Sequence, residues 1–107
     1  MKTLKELTWE HHKEAERHPE VYANYLFNQH QCYNILEPLA MAEGLLDKFP
    51  FIRRAPAIKA DFDELWTYAH QPMMMESTRK YVDYANKELM DCPEKIMAHI
   101  YVRHMGD

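Results

Sequence analysis

The sequence predicts an all-α protein, and three observations carry that reading. Apolar residues recur three and four positions apart over long stretches, the period of helices with one buried face. No segment alternates strictly between apolar and polar residues, as a half-buried strand does. Glycine occurs only twice in 107 residues, while Pro19, Pro56 and Pro93 each stand at the head of a helical pattern, where a missing N–H is tolerated. About five helices in a single domain, residues 1–107, follow from these patterns.

The first helix spans residues 4–17. It contains no Pro or Gly and follows Thr3, an acceptable N-cap with Glu6 at capping-box spacing. Leu4, Leu7 and Thr8, then His11 or His12, then Ala15 fall on one face, so a histidine continues an apolar stripe. A histidine there is either a core residue with a carbonyl or carboxylate partner, or a neutral imidazole facing a cavity as a metal ligand. Glu16, four residues after His12, is a candidate acceptor for the free ring nitrogen.

Pro19 ends the first helix near His18 and opens a long second one. Its pattern carries Val21, Tyr22, Tyr25, Leu26, Cys32, Tyr33, Leu36, Leu39, Ala40, Glu43 and Leu46, with a kink expected at Pro38. Gly44 is either a frayed end or a close-packing point. The stripe Tyr22, Tyr25 and Tyr33 reads as core. After a connection over residues 48–55, Pro56 opens a third helix that buries Ile58, Phe62, Leu65, Trp66 and Ala69 and ends at His70-Gln71-Pro72. Ser77 is the expected N-cap of a fourth, with Tyr81, Val82, Ala85 and Leu89 inward. Pro93 opens a fifth, with Ile96, Met97, Ile100, Tyr101, His104 and Met105 inward.

Composition bounds the function. Hydrophobic residues make up 47% and charged residues 28%, the balance of a globular chain. A net charge of −4 argues against nucleic acid, which selects a basic face. No apolar run reaches membrane-spanning length. Two cysteines, Cys32 and Cys92, without a signal-like N-terminus fit a reducing cytoplasm. Met73-Met74-Met75 is the only biased tract. Surface histidines such as His18, His30 and His70 read as solvated and receive no role.

The search for chemistry by spacing is mostly negative. There is no Cys-x-x-Cys, no His-Glu-x-x-His and no Gly-rich phosphate loop. No glutamate has a histidine three residues later, which removes the di-iron carboxylate site of helical bundles.

The last helix breaks that silence. Ala98-His99-Ile100-Tyr101-Val102-Arg103-His104-Met105-Gly106-Asp107 resembles the Ala-His-x-Tyr-x-Arg-x-x-Gly-Asp signature that opens the distal helix of the heme oxygenases. Leu4-Lys5-Glu6-Leu7-Thr8 and His12-Lys13-Glu14-Ala15-Glu16 are similar to the family's proximal helix. Arg54 with Ala57-Ile58-Lys59-Ala60-Asp61-Phe62 resembles its Arg-x-x-Ala-Leu-x-x-Asp-Leu segment. Three motifs in order span nearly the whole chain.

The resemblance implies a heme oxygenase-like helical bundle and assigns roles position by position. His12 becomes the axial ligand to heme iron, with Glu16 on its free ring nitrogen. Lys5 helps to hold a heme propionate, and Tyr101 lies at the same heme edge. Gly106 lets the backbone approach the iron-bound ligand, and Asp107 organises the water that delivers protons. Arg103 and His99 match the motif and are assigned to packing and a hydrogen-bond network. The implied activity is cleavage of heme, at once substrate and cofactor, to biliverdin, carbon monoxide and Fe(II), with electrons from a ferredoxin or a reductase.

Two departures qualify the implication. The family's distal helix continues into a Leu-Ser-Gly-Gly run and further helices, so the chain corresponds to a truncated bundle of about the first half, whose last helix is expected to fray at its unpartnered carbonyls. The segment between Glu16 and Tyr22 is shorter than the family pattern by about a dozen residues. A short proline hinge favours exchange of the first helix between protomers, predicting a homo-oligomer such as a helix-swapped dimer. The alternative to the enzyme is a non-catalytic helical oligomer of this fold that binds heme weakly or not at all.

Overall fold

A computed structural model describes residues 18–106. The first expected helix and Asp107 lie outside the described residues. Among the described residues the chain is helical with no strand, as expected. Helix α1 is Pro19–Ala42, α2 is Ala55–Leu65, α3 is Glu76–Tyr84 and α4 is Pro93–Gly106. A 3-10 turn, Pro50–Ile52, precedes α2, and a π-helical turn, Ala85–Leu89, prolongs α3.

Helix α1 is the spine against which the other three pack. Its 24 residues run through Pro38 and stop at Ala42, short of the expected Leu46. The reason is Gly44, in the left-handed conformation with φ 73°. The Leu45 N–H donates to the Ala40 carbonyl at 2.9 Å and the Gly44 N–H to the Met41 carbonyl at 3.0 Å, the paired bonds of a Schellman ending. Leu45 and Leu46 then turn back into the core.

That core joins Leu36, Ala40 and Leu46 to Ala85, Leu89, Ile96 and Ile100. The wider π turn sets Ala85 and Leu89, four apart, on the same inward side. Positions 96, 100 and 104 line up along α4, so Ile96, Ile100 and His104 are buried. Met97 and Tyr101, expected inward, are exposed, because each lies one residue further round the helix. The tyrosine stripe of α1 divides in the same way. Tyr33 is buried, Tyr22 is half-buried and Tyr25 is exposed.

Two helix limits also differ from expectation. Helix α2 stops at Leu65, not near Ala69. Trp66 leaves the helix with ψ 95°, stacks on Phe62 at 5.7 Å and donates its indole N–H to the His70 carbonyl at 3.1 Å. Helix α3 begins at Glu76 with Met75 before it, so Ser77 lies inside the first turn and not at the cap. The Met75 N–H is already taken by the Asn28 side chain of α1 at 2.8 Å, which fixes where the chain turns into the helix.

Candidate functional site

Tyr33, Leu36, Glu37 and Ala40 share the inward face of α1, at the spacing of one helical stripe. Glu37 is thereby fully buried, and a buried carboxylate must be matched by donors. The Arg54 and Ala55 N–H groups, at the open N-terminus of α2, donate to it at 2.6 and 3.3 Å. Their orientation suits an anion. The Arg53 guanidinium donates through Nε at 3.3 Å, and His104 lies with Nε2 at 2.9 Å.

The same cluster finishes α4. Its last carbonyls have no partner within the helix. Tyr33 donates its hydroxyl to the Arg103 carbonyl at 3.1 Å, and Arg54 donates through Nη2 to the His104 carbonyl at 2.8 Å. The Arg103 and His104 carbonyls are thus held by donors from α1 and from the start of α2. The Tyr33 ring also meets His104 edge-on at 5.0 Å. With Nε2 at Glu37, His104 Nδ1 is a buried nitrogen with no hydrogen-bond partner among the described residues.

One turn back, Arg103 lies over the Tyr81 ring at 4.1 Å, and the Tyr81 hydroxyl is 3.0 Å from His99 Nδ1. Burial holds the tyrosine above its ordinary pKa. Burial, assisted by the Arg103 charge, holds the imidazole below its own. The proton accordingly stays on Tyr81, which donates to neutral His99. Arg103 and His99 thus form the packing and hydrogen-bond network expected of them. Cys32 is buried and its thiol pKa is raised, first by burial, with Arg103 acting in the opposite sense. It is a core thiol and not a nucleophile.

On the side of α4 away from Ile96, Ile100 and His104, Met97, Tyr101 and Val102 form an exposed apolar face, with Tyr101 69% exposed. Gly106 lies four residues after Val102, one turn further along the helix. Of the site residues expected from the sequence, Tyr101 and Gly106 lie on this helix. Lys5, His12, Glu16 and Asp107 lie outside the described residues. Among the described residues no group of three or more His, Cys, Asp or Glu is placed to hold a metal ion, and no helix is long and apolar enough to cross a membrane.

The sequence reading passed over Glu37 and the donor roles of Tyr33 and Arg54. A signal was present: a glutamate set between Leu36 and Ala40 on an otherwise apolar stripe. Its partners, however, lie up to 67 residues away.

In comparisons with known proteins, a family model described as Heme oxygenase matches residues 1–107. No curated protein and no solved structure matches the chain significantly.

Proposed function

Because the chain belongs to the heme oxygenase family, we propose that it binds heme and cleaves it oxidatively to biliverdin, carbon monoxide and Fe(II). The observation that supports this reading is the outward face of α4. Met97, Tyr101 and Val102 leave exposed apolar surface along α4, with Val102 one turn before Gly106, and a flat, largely apolar macrocycle suits such a surface. Heme, when bound, supplies the iron at which dioxygen is reduced by electrons from a ferredoxin or a reductase.

The chain's own residues bind and position. Tyr33, Glu37 and Arg54 hold the end of α4 and so set where Gly106 stands. In the proposed site, the absence of a side chain at Gly106 admits close approach of the backbone, and Tyr101 flanks the heme edge with Lys5. His12 would hold the heme iron, with Glu16 on its free ring nitrogen, and Asp107 would hold the water that moves protons. The roles of Lys5, His12, Glu16 and Asp107 rest on the family motifs they match. Cys32 and Cys92, both free, suit a reducing compartment such as the cytoplasm.

Hemin titration of the wild type and of His12→Ala, followed by ascorbate or a ferredoxin system under air, tests the proposal. The expected result is a saturable Soret band that His12→Ala abolishes and that decays into a biliverdin spectrum. A saturable band that persists under turnover conditions identifies a heme binder without cleavage. Failure to saturate leaves the family fold without its ligand.

A further inference from the structure

We propose that the cleft beside the N-terminal half of α1 is a binding site for a soft monovalent metal ion, Cu(I) in the cell, held by the thioethers of Met73 and Met75 and the imidazole of His70. The cleft encloses about 600 Å3 and has Tyr25 and Trp66 among its walls, with His70, Met73 and Met75 lining it together. None of these residues takes part in the Glu37 cluster or in the exposed face of α4.

The three donors come from the connection between α2 and α3, which is held rigidly against α1. The Met73 N–H donates to the Asn24 side chain at 2.7 Å and the Met75 N–H to the Asn28 side chain at 2.8 Å. The Asn28 amide in turn donates to the Met73 carbonyl at 3.0 Å. With alternate backbone groups fixed and Met75 extended, at φ −72° and ψ 151°, residues 73 and 75 share a side of the chain. Both line the cleft, and Met74 does not. Met73 is 70% exposed and Met75 54%, so folding leaves both side chains largely uncovered.

The imidazole is prepared in the same way. Its Nε2 lies 2.9 Å from the Glu20 carboxylate, and in the tautomer that donates there Nδ1 is the nitrogen offered to a metal. The Trp66 indole N–H fixes the His70 backbone from the other side. A carboxylate behind a histidine orients the ring and strengthens it as a ligand. Two neutral thioethers and one imidazole disfavour hard divalent cations and select Cu(I) or its analogue Ag(I).

The test uses the full chain carrying 13C-methyl methionine, titrated with Ag(I), with the eight methionine methyl signals assigned by single Leu substitutions. The expected result is that the Met73 and Met75 methyl resonances shift together and saturate while Met74 stays in place, with a concurrent 15N shift at His70. Met73→Leu with Met75→Leu, which preserves volume, should abolish the His70 shift while leaving the circular dichroism unchanged. Cys92→Ser should remove silver taken by the half-exposed thiol without moving the Met73 and Met75 signals. The proposal is overturned if silver saturates with those two methyls unmoved, if Met74 follows them equally, or if the double variant retains the His70 response.

Discussion

A carboxylate withdrawn from water needs donors around it, and at Glu37 they come from the start of α2, from the Arg53 side chain and from His104. Removing the carboxylate strands all of them. Glu37→Leu is expected to lower stability by about 3–5 kcal/mol, the usual cost of breaking a buried charged pair. Glu37→Gln, which keeps the shape, should cost about 1–3 kcal/mol. Urea unfolding followed by far-UV circular dichroism measures both, and equal costs would show that the charge itself contributes nothing. At this scale the sequence was half legible. Periodicity placed His104 on the inward stripe of its helix, but the partner that justifies a buried histidine is invisible to any local pattern. The ligand set of the proposed heme site rests on motif and not on periodicity, which leaves His11 and His12 equivalent.

At the scale of elements, starts were easier to read than ends. Proline marks a start through its own backbone, and α1 and α4 begin at Pro19 and Pro93. Ends depend on what lies across the fold. Trp66 leaves α2 to stack on Phe62, and the start of α3 is set by Asn28, neither of which a local window contains. Gly44 is the exception, because its conformation can be argued from its residue type. A Cβ there would stand 3.2 Å from Asp47 Oδ2 on a backbone with φ 73°. Gly44→Ala should therefore destabilise by about 1–2 kcal/mol, read as a lower denaturant midpoint with an unchanged m-value. An unchanged midpoint would show that the Schellman bonds do not need that conformation.

For the whole molecule, the all-α class and the order of helices were legible because helical periodicity is local. The outward face of α4 was not. Ile96 and Met97, like Ile100 and Tyr101, are adjacent apolar pairs, and only packing decides which of each pair is buried. Global stability should depend on pH through His30 and His99. Burial lowers both pKa values, helped at His30 by Lys59 against Asp63 and Glu37, and at His99 by Arg103. As pH falls below about 6.5, the unfolded chain takes up protons before the folded one. Stability is thus fully present above that value and is lost progressively below it. At the other extreme, burial raises Cys32, Tyr22 and Tyr81, so stability declines again above about pH 9. Urea midpoints across this range should show a plateau between the two declines, and a midpoint that rises on acidification would contradict the assignment. Only Arg17 and His18 separate Glu16 from α1, which begins at Pro19, and so short a connection predicts a dimer formed by exchange of the expected first helix. Light scattering behind size exclusion should report twice the chain mass at micromolar concentration, and a stable monomer would exclude the exchange.

Glu37 and His104 are 67 residues apart, and that separation has a consequence for biosynthesis. A nascent chain that has emerged only through α1 and α2 has no His104 imidazole to offer and no end of α4 for Arg54 to hold. Until α4 emerges, hydration of the carboxylate opposes burial of the stripe that carries it. Closure of this cluster therefore waits on α4, the segment that also carries the Gly106-Asp107 pair.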